Sequence, residues 1–363
     1  MENKNIKAEA MVFEQVQQPF KRVMLNLPEI EIGEVLVKIK YTTICTSDLH
    51  TYYGRRVSPQ PSVLGHEIIG EVVVTGKGGV NDYYGDTLKQ GDLVTWSVYA
   101  FDEEDDMAIK GIPQKSQGLY KYGHRKMEDD DVLNGGFASH CLLKKGTAIF
   151  KLPEHLSYSE LAPLNCTHAT IAGALRLAGN LEGKNVLVIG AGMLGISACA
   201  MSREAGTKEV FAMDIVSDRL QRAYLFGINK SISGESSSQE IKNDLNFYGG
   251  IDVVIDTTGV ASAMEKGLEV LNIGGIAVWV GAVYSERHTQ VNAEMIVRNL
   301  ITIKGLHNYI PQDLGYAIDF LAKSRDKYPF SELVGEDFAL GMLGQAFNCA
   351  HSGKHYRVGV IQD

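Results

Sequence analysis

Residues Asn185–Ile189 form a short apolar run that leads without a break into Gly190-Ala191-Gly192-Met193-Leu194-Gly195. This junction restricts the fold more than any other stretch, because a buried strand that turns on glycine into a helix opens a βαβ unit. The spacing predicts a helix over Leu194–Ala205 and a second strand over Glu209–Met213, ending at Asp214, 214 − 195 = 19 residues past the last glycine. Unpaired N–H groups and the dipole at such a helix start favour an anion, and the glycines let a pyrophosphate approach the backbone. A carboxylate at Asp214 can accept hydrogen bonds from adenosine ribose hydroxyls and repels a 2′-phosphate. Gly190, Gly192, Met193, Leu194, Gly195 and Asp214 are therefore candidate dinucleotide-binding residues, with NAD favoured over NADP. Arg219, shortly after, would weaken that preference by reaching the same phosphate.

The alternation continues through Asp218–Phe226, Asp252–Asp256, Ala261–Leu271, Ile276–Gly281 and Ile301–Leu306. It predicts a doubly wound, mostly parallel sheet, preceded by a helix over His168–Ala178 that stops at Gly179. Before residue 165 the pattern differs. Val35–Ile44, Ile68–Thr75 and Asp92–Val98 read as strands, and Phe101–Asn134 is a polar excursion with acidic runs Asp102–Asp106 and Glu128–Asp131, expected to be a solvated lobe. After Tyr309 come a helix over Leu314–Ser324 and a strand over Tyr356–Ile361.

A chain of 363 residues is long for one core and suggests two domains. Its 35 Lys plus Arg against 44 Asp plus Glu give a net charge of −9, which argues against nucleic-acid or acidic-membrane binding. The uncharged runs Asn185–Ser202 and Val270–Ser285 are broken by glycines and read as buried strands with their turns, not membrane spans. The start, from Met1 to Glu9, shows no targeting pattern. Five scattered cysteines exclude a disulfide scaffold and suit a reducing cytosol, so a cytoplasmic protein is expected.

Two of those cysteines stand in suggestive company. Cys45-Thr46-Ser47-Asp48-Leu49-His50 is followed by Gly65-His66-Glu67 and, much later, by Pro163-Leu164-Asn165-Cys166. Two thiolates and an imidazole make a set that suits a catalytic zinc with one open position. With these motifs, the glycine fingerprint and the ending Ser352–Val360, the chain resembles the zinc-dependent medium-chain dehydrogenase/reductase (alcohol dehydrogenase) superfamily over nearly its whole length. The resemblance implies a GroES-like, mainly-β catalytic domain over 1–167 and 310–363 and a Rossmann NAD-binding domain over 168–309. It implies that Cys45, His66 and Cys166 hold one zinc ion, with Glu67 as an exchangeable fourth ligand or a group behind the ligands. Asp48 would orient His66, Ser47 and His50 would relay the alcohol proton to solvent, and Arg357 would contact the cofactor phosphate. The reaction implied is reversible hydride transfer between a small alcohol and NAD, giving an aldehyde or ketone.

Many members of that family carry a second, structural zinc on four closely spaced cysteines. The corresponding stretch here, Ser97–Asn134, has no cysteine, so a four-thiolate zinc is excluded on ligand count and one zinc per subunit is expected. Ser116 stands where a ligand would be, and Cys141, Cys199 and Cys349 are expected to be packing residues. The string from His50 to Glu67, with Gly54-Arg55-Arg56 and Pro59-Gln60-Pro61, resembles the branch associated with phosphonate catabolism, as does Lys121-Tyr122-Gly123-His124. Arg55 and Arg56 would then clamp an anionic substrate such as a hydroxyalkyl phosphonate, and Trp96 would line the cleft. Polyols, sugar alcohols and simple secondary alcohols remain open. So do a zinc-free quinone or enone reductase and a non-enzymatic NAD-binding protein on the same fold. A homodimer or homotetramer would pair through Val278–Tyr284 and Thr302–Leu306.

Overall fold

Three strands set the frame of the N-terminal half: Val35–Thr43, Glu67–Thr75 and the late strand Arg357–Ile361. In the computed structural model, which describes residues 7–128 and 131–362, the chain divides into two compact units. The first holds the described chain through Cys166, Ile310–Ala322 and the chain from Phe330 onward; the second holds Thr167–Tyr309 and Lys323–Pro329. Most of the N-terminal stretch read for a targeting pattern lies outside the described residues, as do Asp129 and Asp130 of the second acidic run.

The first unit is mainly β. Among its described residues an eight-stranded sheet runs in the order Val334–Ala339, Arg357–Ile361, Val35–Thr43, Glu67–Thr75, Leu93–Ala100 and Tyr120–Lys121. His140–Leu143 and Thr147–Lys151 join at its sides, and a three-stranded sheet packs Lys7–Phe13 between Lys21–Asn26 and Ser62–Val63. Alternating branched residues make Val35–Thr43 a strand, and its interior position leaves nearly every residue buried. Its register decides the site: Thr43 lies opposite Glu67 on one side and Gly359 on the other. Cys45, His66 and Arg357 therefore issue from the same end of adjacent strands.

Trp96 differs from expectation. Its side chain is fully buried, edge-on to Tyr122, and packs with Val37 tightly over Gly70. It is a core residue, not part of a cleft wall. The polar excursion is likewise only solvated at its rim: Asp102, Glu103 and Glu104 are exposed, whereas Tyr122, Leu133 and Asn134 are buried. Two short elements, the helix Asp106–Ile109 and the 3₁₀ turn Pro113–Lys115, lie within it.

The second unit is a six-stranded parallel sheet in the order Lys230–Ser233, Glu209–Asp214, Asn185–Ile189, Ile251–Asp256, Leu271–Trp279 and Thr302–Gly305. This is the 3-2-1-4-5-6 arrangement, whose order reverses beside Asn185–Ile189, the place where ligands bind in doubly wound sheets. The helix expected through Leu271 ends at Val270, and the next strand begins at once, passing Gly274-Gly275 by a register shift against Ile251–Asp256. Thr302–Gly305 is one edge of the sheet and Lys230–Ser233 the other, while Leu271–Trp279 lies inside the sheet and Val280–Tyr284 is not strand. No described helix is long and apolar enough to cross a membrane.

Trp96→Ala should lower the unfolding free energy by about 3–5 kcal/mol, as for a large aromatic removed from a core. Urea titration followed by circular dichroism reads this, and a change within about 0.5 kcal/mol would contradict the packing described.

Candidate functional site

The strand Val35–Thr43 runs through Ile44 into Cys45, which precedes the short helix Thr46–Tyr52. Asp48, fully buried in the first turn, accepts a hydrogen bond from the Cys45 N–H at 2.9 Å and from the Gly65 N–H at 3.3 Å. The same carboxylate lies 3.2 Å from His66 Nδ1, close enough for a charge interaction but not aligned as a hydrogen bond. Nε2 of that ring faces Ser47, whose hydroxyl is 3.2 Å away. Cys166 arrives on a π-helical turn, Leu164–His168, that Asn165 clips to the sheet: its amide donates to the Trp96 carbonyl at 3.0 Å and its oxygen accepts from the Ile68 N–H at 3.3 Å. Sequence reasoning missed Asn165, whose only signal is its place beside Cys166.

The donor atoms of Cys45, His66 and Cys166 lie within 4.8 Å of one another, a spacing that a tetrahedral metal ion can bridge. Their protonation fits a ligand set. The Cys166 thiol donates to Cys45, which with Arg357 opposite holds the Cys45 thiol well below its ordinary pKa despite burial. Cys166 is pushed up in return by that hydrogen bond and by burial. Burial works against a charged His66, but Asp48 and the Cys45 thiolate outweigh it and raise the imidazole above its usual range. The group therefore carries protons that a metal must displace.

Glu67 lies in the second of its two expected places, behind the converging donor atoms, and Arg357 lies elsewhere than expected. Arg357 is buried and donates through Nε and an Nη to the two oxygens of Glu67 at 2.7 and 2.8 Å, while the Thr43 hydroxyl donates to the same carboxylate at 2.5 Å. Both Glu67 oxygens are thus committed, and Glu67 is not among the converging donor atoms. The second guanidinium nitrogen lies 3.5 Å from Cys45 Sγ, so Arg357 faces the thiolate cluster, where the expectation had it on a cofactor phosphate. Burial raises the Glu67 carboxyl, and Arg357 pulls it back toward ionisation.

His50 lies half-buried in the last turn of that helix, its pKa lowered by burial and by Arg55 and Arg56. Arg55 is exposed and Arg56 half-buried. His124 lies against the centre, its ring centroid 4.9 Å from that of His66. The cause is a backbone contact: Gly123, at φ +72°, leaves no room for a Cβ, which would sit 2.4 Å from the Gly65 carbonyl oxygen. Burial and the neighbouring His66 and Arg56 hold His124 well below its usual range, hence neutral. A second group, Glu336, Cys349 and His355, also brings ligand atoms together, but at the surface, where Lys354 already pairs with Glu336 at 3.0 Å. Cys349, expected to pack, does so partly buried against the core of the first unit, while Cys141 and Cys199 are buried.

In the second unit the three glycines divide their tasks. Gly190 turns at φ +92° with Thr257 and Thr258 against it, and a Cβ on Gly195 would lie 1.7 Å from the Gly190 carbonyl oxygen. Gly192 precedes the helix Met193–Glu204 with open space where its Cβ would point, room for a phosphate to meet the helix N-terminus. Asp214 accepts from the Ala191 N–H at 2.6 Å and from the Val216 N–H at 2.9 Å, which places its carboxylate at the loop. Arg219 is exposed on the following helix.

Comparison with known proteins agrees with both halves. The alcohol dehydrogenase GroES-like domain matches residues 31–154, and the zinc-binding dehydrogenase family matches residues 194–323. Sorbitol dehydrogenase of Halalkalibacterium halodurans is 28% identical over 331 residues, 90% of each chain. The 5-exo-hydroxycamphor dehydrogenase of Pseudomonas putida is 25% identical over 88% of this chain and 90% of its own length. Among solved structures, an alcohol dehydrogenase of Thermotoga maritima superposes with a TM-score of 0.92 at 26% identity, covering 99% of this chain and 100% of its own.

Removing one member of the buried pair should cost about 3–5 kcal/mol, because it strands a charge away from water. Glu67→Gln and Arg357→Met are each expected to show this in denaturant titration, and the double variant is expected to lose much less than their sum. Additive losses would mean the two groups do not depend on each other.

Proposed function

The chain belongs to the zinc-binding dehydrogenase superfamily, and from that premise we propose that it is a zinc- and NAD-dependent alcohol dehydrogenase interconverting a small alcohol with its aldehyde or ketone. The observation that carries this reading is the convergence of the Cys45, His66 and Cys166 donor atoms within 4.8 Å. Zinc, when bound there, supplies a Lewis acid that lowers the pKa of a substrate hydroxyl, and NAD supplies the hydride acceptor. The protein's own residues do the rest. Asp48 fixes the ring orientation of His66, and the Arg357–Glu67 pair stabilises the thiolates from behind. Ser47 and His50 take the hydroxyl proton outward, a role supported by Ser47 standing 3.2 Å from His66 and by a His50 that burial and Arg55 keep neutral enough to accept it. The start of the helix Met193–Glu204 receives the pyrophosphate, and Asp214 the adenosine ribose.

One zinc ion per chain follows from the same ligand inventory, since the lobe after Ser97 has no thiolate to hold another. The chain assembles as a homodimer or homotetramer in this reading, through the edge strand Thr302–Gly305. The relatives' names span sorbitol and hydroxycamphor, so the substrate must be chosen by this chain's own residues. Among polyols, simple alcohols and alcohols carrying an anionic group such as a hydroxyalkyl phosphonate, the last is favoured by the Arg55-Arg56 pair beside His50.

Cys45→Ala should abolish both bound zinc, counted by elemental analysis, and NAD reduction on any alcohol; full activity in that variant would end the reading. Because His66 and Cys166 hold protons above their ordinary ranges, metal uptake must release them. Apparent zinc affinity should therefore rise with pH, by about one to two decades per unit near neutrality, in a competition titration with a chelator. Asp214→Ala should relax the NAD preference, seen as a smaller ratio of kcat/KM with NAD to that with NADP.

A further inference from the structure

We infer that Glu336, Cys349 and His355 form a second, exchangeable zinc site at the surface of the first unit, with a donor set separate from Cys45, His66 and Cys166. The inference goes beyond the dehydrogenase reading and does not rest on it. The ion of that reading is held by two thiolates; this site has one, and releases its ion to a chelator.

Three local features bring the donors together. The strand Val334–Ala339 pairs in parallel with Arg357–Ile361, and its register slips between Val334, opposite Arg357, and Asp337, opposite Gly359. The extra residue makes a bulge at Gly335-Glu336, and a bulge re-aims the side chain it carries. Gly335 belongs there because the His355 ring lies against it: a Cβ would come 2.0 Å from Nδ1. The other ring nitrogen, Nε2, stands 3.3 Å from Glu336 Oε1. The helix Leu343–His351 supplies the third donor, Cys349, in its last turn. Beyond it the Ser352 hydroxyl donates to the Cys349 carbonyl at 2.7 Å, and Gly353, at φ +72°, turns the chain toward His355. One donor atom from each of the three residues then lies within 4.8 Å of the other two.

A thiolate, an imidazole and a carboxylate suit zinc, which takes sulfur, nitrogen and oxygen donors tetrahedrally and here keeps water in the fourth position. Magnesium and calcium select oxygen donors, and one carboxylate makes a site for neither. Ligation forms a zinc–sulfur bond, and the Cys349 thiol gives its proton to the buffer. Two donors are already ordered, since Cys349 packs against the core and the His355 side chain is only 20% exposed. The Lys354 ammonium, 3.0 Å from the same Glu336 oxygen, competes for the carboxylate. At 67% exposure on a flexible stem it is displaced easily, because an exposed pair of this kind contributes little. Lys354 thus weakens the site without closing it, which is why the ion exchanges. Bound zinc ties the bulged strand, the helix and the approach to Arg357–Ile361 to one another.

The test uses the full chain, loaded with zinc, desalted, and assayed for the ion it retains. Further zinc is then titrated by calorimetry, and cobalt(II) by absorption in the near ultraviolet. One additional ion per chain is expected, with micromolar affinity, and cobalt(II) in its place gives a thiolate charge-transfer band. Cys349→Ser should remove that band. Cys349→Ser, His355→Gln and Glu336→Gln should each weaken the additional zinc about 10- to 100-fold. Gly335→Ala keeps every donor but displaces the imidazole ring, and should weaken the site as much as His355→Gln. Lys354→Met removes the competing ammonium and should tighten binding about two- to fivefold. No additional ion at millimolar zinc overturns the proposal, as does a band or an affinity that Cys349→Ser and His355→Gln leave unchanged. A desalted chain that retains no zinc ends the reading of the Cys45 centre and leaves this site to be judged by its own variants.

Discussion

One buried carboxylate, Asp48, carries the arrangement of the candidate metal centre. It takes the backbone N–H of Cys45, the N–H of Gly65 and the charge of His66, so two segments that follow different strands are held to a single anion. A carboxylate removed from water is stable only when its oxygens are satisfied, and here the satisfying groups belong to the ligands themselves. Loss of any one contact would leave the others strained against a desolvated charge. The short connections that carry Cys45 and His66 are thereby held in place by electrostatic need alone.

Behind the thiolates the sheet supplies the opposite charge. The register that sets Thr43 between Glu67 and Gly359 brings Arg357 to Cys45, and Glu67 neutralises what would otherwise be an isolated guanidinium. The pair is a fixed dipole directed at the ligands. It stabilises the deprotonated form of Cys45 without competing for the metal, because both Glu67 oxygens are occupied.

Much of this was legible along the chain, and the exceptions share a cause. The strand Asn185–Ile189, the glycine turn and Asp214 are local: steric demands of a βαβ turn act within a few residues, so they leave a mark in sequence. Cys45, His66 and Cys166, whose donor atoms converge, could be picked out because thiolates and imidazoles in such motifs have few other uses. Arg357 was assigned elsewhere, and Glu67 was left between two places, since each partner is 290 positions from the other and neither motif names it. Trp96 failed differently: a tryptophan on a strand reads the same whether its face meets a cleft or the Tyr122 ring, and only the packing of the lobe decides. His124 came into reach of His66 through a glycine–glycine backbone contact, which has no periodicity to betray it.

The long separation within the Glu67–Arg357 pair also orders events in time. A ribosome makes Cys45, His66 and Cys166 first, then the whole of Thr167–Tyr309, and only afterwards the guanidinium that faces the thiolates. During that interval Glu67 has no counter-charge, and the late strand Arg357–Ile361 is missing from beside Val35–Thr43. The parallel-sheet unit, whose strands all lie within one continuous stretch, can finish folding in the same interval. The charge environment of Cys45 is thus complete only when the last strand of the chain has been made and paired.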